Sequence, residues 1–295
     1  HYNAGFHQTA TSGSFGATIV ASKLLKLNEA QTINALGLVS TRASGIKSQF
    51  GTMGKPFHAG MAASNGIEAA KLSKLGFVSR EDGIECDQGF FLTHGWDKKT
   101  PSRALDNLGT DFLFPEIKYK FHACCHGLHS FLEALEELKQ ENNFNPESIE
   151  EIAIETNPSW LKVCNIQEPK TGLESKFSYK LTAAMSIYGK DTADLGTYND
   201  DICFDDKMNN IRDKVKVIPN DQLSNTQSLI SIKDGSRDIK NKHDLSDKID
   251  QNILETKIVN KSASLLSKNK SHEIFKMLNA PSESKVSSLV DCLVS

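Results

Sequence analysis

Apolar and small residues recur at helical spacing through the first hundred residues. From Phe15 to Leu25 they run almost unbroken, with Ala17, Ile19, Val20, Ala21, Leu24 and Leu25. That predicts a helix buried against its neighbours, with Ser12 or Ser14 as its cap. Asn28 followed by Gln31 is a capping-box pair and predicts a second helix running to about Ser40. Its inner stripe would be Ala30, Ile33, Leu36 and Gly37. A third helix is predicted from Ala59 to Leu75, closed by Gly76 at the position after its end. Ala62, Ala63, Gly66, Ala69 and Ala70 on that helix would allow close contact between helices. Residues 81–95 read as a short helix or irregular segment anchored by Phe90 and Phe91, and residues 100–114 as a connector.

The pattern then changes. Ile117 to Phe121 alternates like a strand. His126 to Gln140 is amphipathic, with Leu128, Phe131, Leu132, Leu135 and Leu138 on one stripe. Ile149 to Glu155 alternates with Ile152 and Ile154 inward, which predicts a strand. Phe177 to Tyr188 predicts a helix. Val215 with Val217, and Leu229 to Ile232, predict further strands, and Asp234-Gly235 is a hairpin signal. Residues 251–294 return to helical spacing, with Leu254, Ile258, Leu265, Ile274, Leu278, Leu289 and Leu293 as core positions. The fold class is mainly α with an α+β part.

Composition narrows the function. The chain has 295 residues, 38% hydrophobic and 24% charged, enough for one large domain or two ordinary ones. A net charge of −3 argues against nucleic-acid binding by bulk charge. No apolar run approaches the roughly 20 residues that cross a bilayer, so no membrane association is expected. Six cysteines in a chain this long do not form a disulfide framework, and with no secretory signal the expected location is the cytoplasm. The chain opens at His1, inside a polar, glycine-punctuated stretch. It is expected to be the C-terminal part of a longer protein.

Three clusters carry proton-transferring or cationic side chains. They are His1 and His7 with Thr9 and Thr11; Lys55 with His58; and Lys118 and Lys120 with His122, Cys124, Cys125, His126 and His129. The second lies in Gly51–Gly60, where glycines allow tight turns and Pro56 is expected to hold Lys55 extended before the third helix begins. Such a junction suits an anion, although on spacing alone a plain helix–loop–helix turn with a surface lysine is the simpler reading. The third cluster offers metal-binding residue types, but one short helix cannot surround a tetrahedral ion and no second pair has metal spacing. His129 then reads as a buried histidine satisfied by a backbone carbonyl, and the two cysteines as small core residues. There is no Walker or dinucleotide glycine motif and no GxSxG elbow, so no cofactor or metal is expected. Converging lysines and histidines would bind a di- or tricarboxylate, and a histidine would move a proton α to a carboxylate.

Gly5-Phe6-His7-Gln8-Thr9-Ala10-Thr11 with Phe15-Gly16-Ala17, Gln31-Thr32 with Ala35-Leu36-Gly37, and Gly54-Lys55-Pro56-Phe57-His58-Ala59-Gly60 resemble signatures of the MmgE/PrpD family. Lys120, Cys124, Cys125 and His129, and then Ser175-Lys176-Phe177-Ser178, resemble its later motifs. The family includes 2-methylcitrate dehydratases, cis-aconitate decarboxylases and an iminodisuccinate epimerase. The resemblance implies an all-α helical bundle domain over residues 1–114, an inserted α+β lid domain over 115–245, and C-terminal helices over 246–295 packing back on the helical domain. It also implies a metal-free site and a homodimer. His7, Lys55 and Lys120 match the catalytic positions, and Thr9, His58 and His129 are expected to contact substrate.

This chain departs from the family pattern at several positions. Gln8 replaces a proline, His122-Ala123 replaces an aromatic-proline pair, and the family's catalytic Asp and Thr lie upstream of His1. Leu181 stands where decarboxylases carry a tyrosine, and Tyr179 is expected to face elsewhere on its helix. The implied activity is a carbon–oxygen lyase of the 2-methylcitrate dehydratase type, in propionate metabolism, acting on a small polycarboxylate. Epimerisation or isomerisation, decarboxylation, and a non-catalytic binding role are the alternatives. The fragment alone is expected to be inactive.

Overall fold

The structure, a computed structural model, describes residues 1–95, 106–235, 237–280 and 285–294. Part of the 100–114 connector therefore lies outside the described residues. The chain divides into two compact units, His1–Pro115 and Glu116–Ser295.

The first unit is built on α1 (Gln8–Leu24), α2 (Glu29–Ser40) and α3 (Gly54–Lys74). The first helix starts seven residues earlier than predicted. Ser12 and Ser14 are therefore inside it, and His7 occupies the cap position with no side-chain cap bond. Its buried face also differs from the prediction. Ala10, Thr11, Ser14, Thr18, Ala21 and Ser22 are buried, while Ile19, Val20 and Leu24 are exposed. The reason is the close approach of α3: a Cβ on Gly66 would come within 2.5 Å of the Ala17 Cβ and 2.6 Å of the Thr18 backbone nitrogen. Only small side chains fit that seam. Their hydroxyls are satisfied within the helix, Ser14 Oγ donating to the Ala10 carbonyl and Thr18 Oγ1 to the Ser14 carbonyl, each at 2.8 Å.

The second helix has the predicted capping box, with reciprocal bonds between Asn28 and Gln31. Its buried residues are Ala35, Gly37 and Val39; of the expected stripe Gly37 is buried, Ile33 and Leu36 are half-buried and Ala30 is exposed. The third helix begins at Gly54, so Lys55 and Pro56 sit in its first turn and not in a preceding loop. A proline is tolerated there because first-turn N–H groups have no intrahelical acceptor. Gly76 ends the helix at φ +90°, as predicted. Ala63 is exposed, whereas Ala62, Gly66, Ala69 and Ala70 are buried. Beyond it, Phe90–Thr93 forms one helical turn, and Phe90 stacks on His94 with ring centroids 4.0 Å apart.

The second unit holds a four-stranded sheet in the order β2-β1-β3-β4. Its strands are β1 (Ile149–Thr156), β2 (Val215–Pro219), β3 (Gln227–Asp234) and β4 (Arg237–Asp244). The first two are parallel and the other neighbours antiparallel. The Asp234-Gly235 signal marks the β3–β4 turn, where Asp234 pairs with Arg237. The sheet buries one face: Ile152, Ile154 and Thr156 of β1 with Ser228, Ile230 and Ile232 of β3. Helix α4 (His129–Glu141) covers it with the predicted stripe, and Ser130 and Ser228 meet hydroxyl to hydroxyl at 2.5 Å. Helix α5 (Tyr179–Ile187) is buried at every position but Lys180.

Ile117 to Phe121 is not a strand. It is irregular and mostly exposed, since its alternation has no neighbouring strand to pair with among the described residues. The tail forms α6 (Gln251–Leu266), α7 (Lys268–Asn279) and α8 (Val286–Val294), and these helices fall within the second unit. Of the seven expected tail core positions only Ile274 is buried, while Leu265, Leu278 and Leu293 are exposed.

Candidate functional site

In the first unit, α1 and α3 bring two of the anticipated side chains into contact. His7 precedes α1 and His58 lies in the second turn of α3, both buried. Their Nδ1 atoms are 2.9 Å apart. One ring must donate and the other accept, so the pair shares a single proton between them. The His7 N–H donates to the Gly45 carbonyl at 2.9 Å. Gly45 has φ +145°, and a Cβ there would come within 2.4 Å of the Ala10 Cβ and 3.4 Å of the His58 ring. Glycine is therefore the residue that lets this backbone pass behind the pair. Phe50 meets His7 edge-on at 5.0 Å, and Lys55 Nζ lies 4.6 Å from the centre of the same Phe50 ring. Burial first, then His58, then Lys55, lower the His7 pKa to about 4, so His7 is neutral at pH 7 and able to accept a proton.

The other anticipated residues fall differently. Thr9 is exposed on α1. Thr11 is buried and holds His1 Nε2 at 2.8 Å, with His1 stacked on Phe6. Lys120 and His129 belong to the second unit. Lys120 is exposed. His129 is fully buried, and neither ring nitrogen has a hydrogen-bond partner among the described residues. The backbone-carbonyl partner expected for it is thus not made. The Cys124 backbone acts on the ring in the direction that raises its pKa, after the influences that lower it. Burial, followed by His122, His126 and Lys120, holds His129 well below the usual histidine range. Cys124 and Cys125 are buried, and burial pushes the Cys124 thiol up to about 12. Tyr179 points into the core and donates to the Gly127 carbonyl at 2.6 Å, and Leu181 is fully buried. Among the described residues no three His, Cys, Asp or Glu side chains are placed to hold a metal ion, and no helix is long and apolar enough to cross a membrane.

A buried network was not anticipated. His122 Nε2 lies 3.1 Å from Glu133 Oε1, and His122 Nδ1 lies 2.7 Å from Thr192 Oγ1. Lys257 of α6 pairs with the other oxygen of Glu133. Burial works to raise the Glu133 pKa, but the bonds and charges of His122 and Lys257 outweigh it and hold it at about 2. The signal was the spacing: Glu133 follows His129 by four residues and so shares its buried face.

These shifts set the acid response. The unfolded chain takes up a proton on His7 near pH 6.5, the folded chain only near 4, so stability falls as pH drops through that window. Glu133 adds a lower step: its contribution is complete above its ordinary 4.5 and is lost as pH falls toward 2. Urea midpoints measured from pH 7 to 4 should fall for the wild type and fall less for His7→Gln. Parallel curves would refute the assignment.

Comparison with known proteins agrees with the residue pattern. The family model described as the MmgE/PrpD N-terminal domain matches residues 1–101, and the MmgE/PrpD C-terminal domain matches residues 122–278. A cis-aconitate decarboxylase-like protein of Aspergillus oryzae is 33% identical over 143 residues, which is 46% of this chain and 30% of that protein. A cis-aconitate decarboxylase of Aspergillus terreus is 32% identical over 145 residues, 47% of this chain and 30% of its own. The human cis-aconitate decarboxylase is 34% identical over 101 residues, covering 34% and 21%. The chain thus spans less than a third of the length of these relatives.

Proposed function

The chain belongs to the MmgE/PrpD family, and on that premise we propose that it serves a lyase that removes water from a small di- or tricarboxylate such as 2-methylcitrate. The observation that carries this reading is the His7–His58 pair beside Lys55. A neutral, buried His7 accepts the proton α to a carboxylate, and His58 shares it. A base near pKa 4 is weak alone. A bound polycarboxylate brings negative charge to the pair and raises its proton affinity, while Lys55 stabilises the enolate that develops. Thr9 and His58 of the same unit supply hydrogen-bonding groups. A cytoplasmic homodimer working without metal belongs to the same reading.

A second reading is decarboxylation of cis-aconitate, favoured by the names of the relatives. Leu181 speaks against it, because a buried leucine donates no hydrogen bond where a tyrosine is expected. The buried Tyr179 hydroxyl is already engaged with Gly127 and does not replace it.

Proton NMR in deuterated buffer with a chelator tests both. The full-length protein is incubated separately with 2-methylcitrate, citrate, cis-aconitate and iminodisuccinate. Loss of water despite the chelator is the expected outcome. Loss of carbon dioxide from cis-aconitate would establish the second reading, and deuterium exchange without elimination would mark an epimerase. No change with any of the four would overturn the lyase reading in favour of a binding protein.

A further inference from the structure

We propose that the second unit carries a separate acyl-accepting site, in which the Thr192 hydroxyl is activated by His122 and Glu133 and takes small activated acyl esters. The three side chains stand in sequence, Thr192 Oγ1 2.7 Å from His122 Nδ1 and His122 Nε2 3.1 Å from Glu133 Oε1. Each residue is more than nine-tenths buried, and all three line one cavity of about 370 Å³.

The tautomer follows from charge. Glu133 is ionised at neutral pH, so the tautomer of His122 that fits both contacts carries its proton on Nε2 and donates it to the carboxylate. Nδ1 is then a bare acceptor, and Thr192 donates its hydroxyl proton there. This is the order nucleophile, base, orienting acid. The loop is fixed, because the Thr192 carbonyl accepts from the Ala123 N–H at 2.8 Å and from the Tyr198 hydroxyl at 3.0 Å. Lys261 lines the same cavity and gives one N–H to the Ala193 carbonyl at 2.5 Å. An ammonium has two more donors, which would meet the oxyanion that forms.

In the step, Thr192 Oγ1 bonds to the acyl carbon as its proton passes to His122. The alcohol or phenol leaves with that proton, and water then cleaves the acyl-threonine to acid and free hydroxyl. The branched threonine and the cavity of about 370 Å³ restrict it to small acyl groups. None of these three residues belongs to the histidine pair of the first unit, so the two readings fail separately.

The test is treatment of the full chain with p-nitrophenyl acetate at neutral pH, followed by peptide mapping. Acetate is expected on Thr192 with continuing release of nitrophenol. Thr192→Val should abolish both, Thr192→Ser should keep them, and His122→Gln should slow acetylation at least about 100-fold. A cooperative melt for each variant separates loss of chemistry from loss of fold. Acetate confined to lysines, or Thr192 labelling unchanged in a folded His122→Gln variant, would overturn the proposal.

Discussion

Replacing His7 with glutamine in the full-length protein is expected to lower kcat by about 10²–10⁴, the range typical of losing a positioned acid–base group, while the fold survives. The expectation of survival rests on geometry. His7 holds the cap position of α1 without a side-chain cap bond, and its structural bond, from the backbone N–H to Gly45, does not involve the ring. Glutamine still fills part of the space beside Phe50 and still reaches toward His58 as a hydrogen-bonding amide. It cannot take and return a proton. Lys55→Ala should also cut turnover, but through substrate charge, so its loss should appear partly in KM. Steady-state kinetics with circular dichroism on both variants makes the check. A folded His7→Gln protein that turns over at the wild-type rate removes His7 from the reaction.

The elements that sequence reading placed well are those whose signal is local and strong. The Asn28/Gln31 capping box, the Gly76 stop, the stripe of α4 and the alternation of β1 each specify their own geometry. The readings that failed depended on what packs against what. The large apolar residues of α1 suggest its inner face, yet the seam with α3 selects Ala10, Ser14, Thr18 and Ala21, because Gly66 brings the two backbones too close for anything larger. Ile117 to Phe121 alternates but finds no partner strand among the described residues. Pro56 reads as a helix breaker and is in fact accommodated in a first turn. At the candidate site the pattern is the same. His7, Lys55 and His58 are visible as residue types in a motif, whereas their contact across α1 and α3 is a tertiary fact. The His122–Glu133–Thr192 network joins residues 70 positions apart, and nothing in linear spacing links Thr192 to it.

The seam that positions the histidine pair yields the sharpest structural expectation, because two glycines of α3 should respond with opposite signs. Gly60 is exposed, and a Cβ there meets nothing within 4 Å among the described residues. Gly60→Ala removes the entropy that glycine loses in a helix and should raise stability by up to about 1 kcal/mol. Gly66 has the same intrinsic preference, but its Cβ would lie 2.5 Å from the Ala17 Cβ, 2.6 Å from the Thr18 nitrogen and 2.7 Å from the Ala17 carbonyl carbon. Two of those three are backbone atoms of a packed helix and have no rotamer by which to move aside. Gly66→Val must push α1 away from α3, and overpacking of this kind costs about 1–3 kcal/mol. The same displacement reaches the site, since α1 begins at His7 and α3 carries His58 two turns before Gly66. Gly66→Val should therefore lower the urea midpoint and also release His7, returning its pKa from about 4 toward the ordinary histidine value as the ring becomes exposed. Histidine proton NMR titrations of the wild type, Gly60→Ala and Gly66→Val read both effects together. If Gly66→Val is as stable as Gly60→Ala and its His7 still titrates near 4, the contact between α1 and α3 does not hold the pair in place.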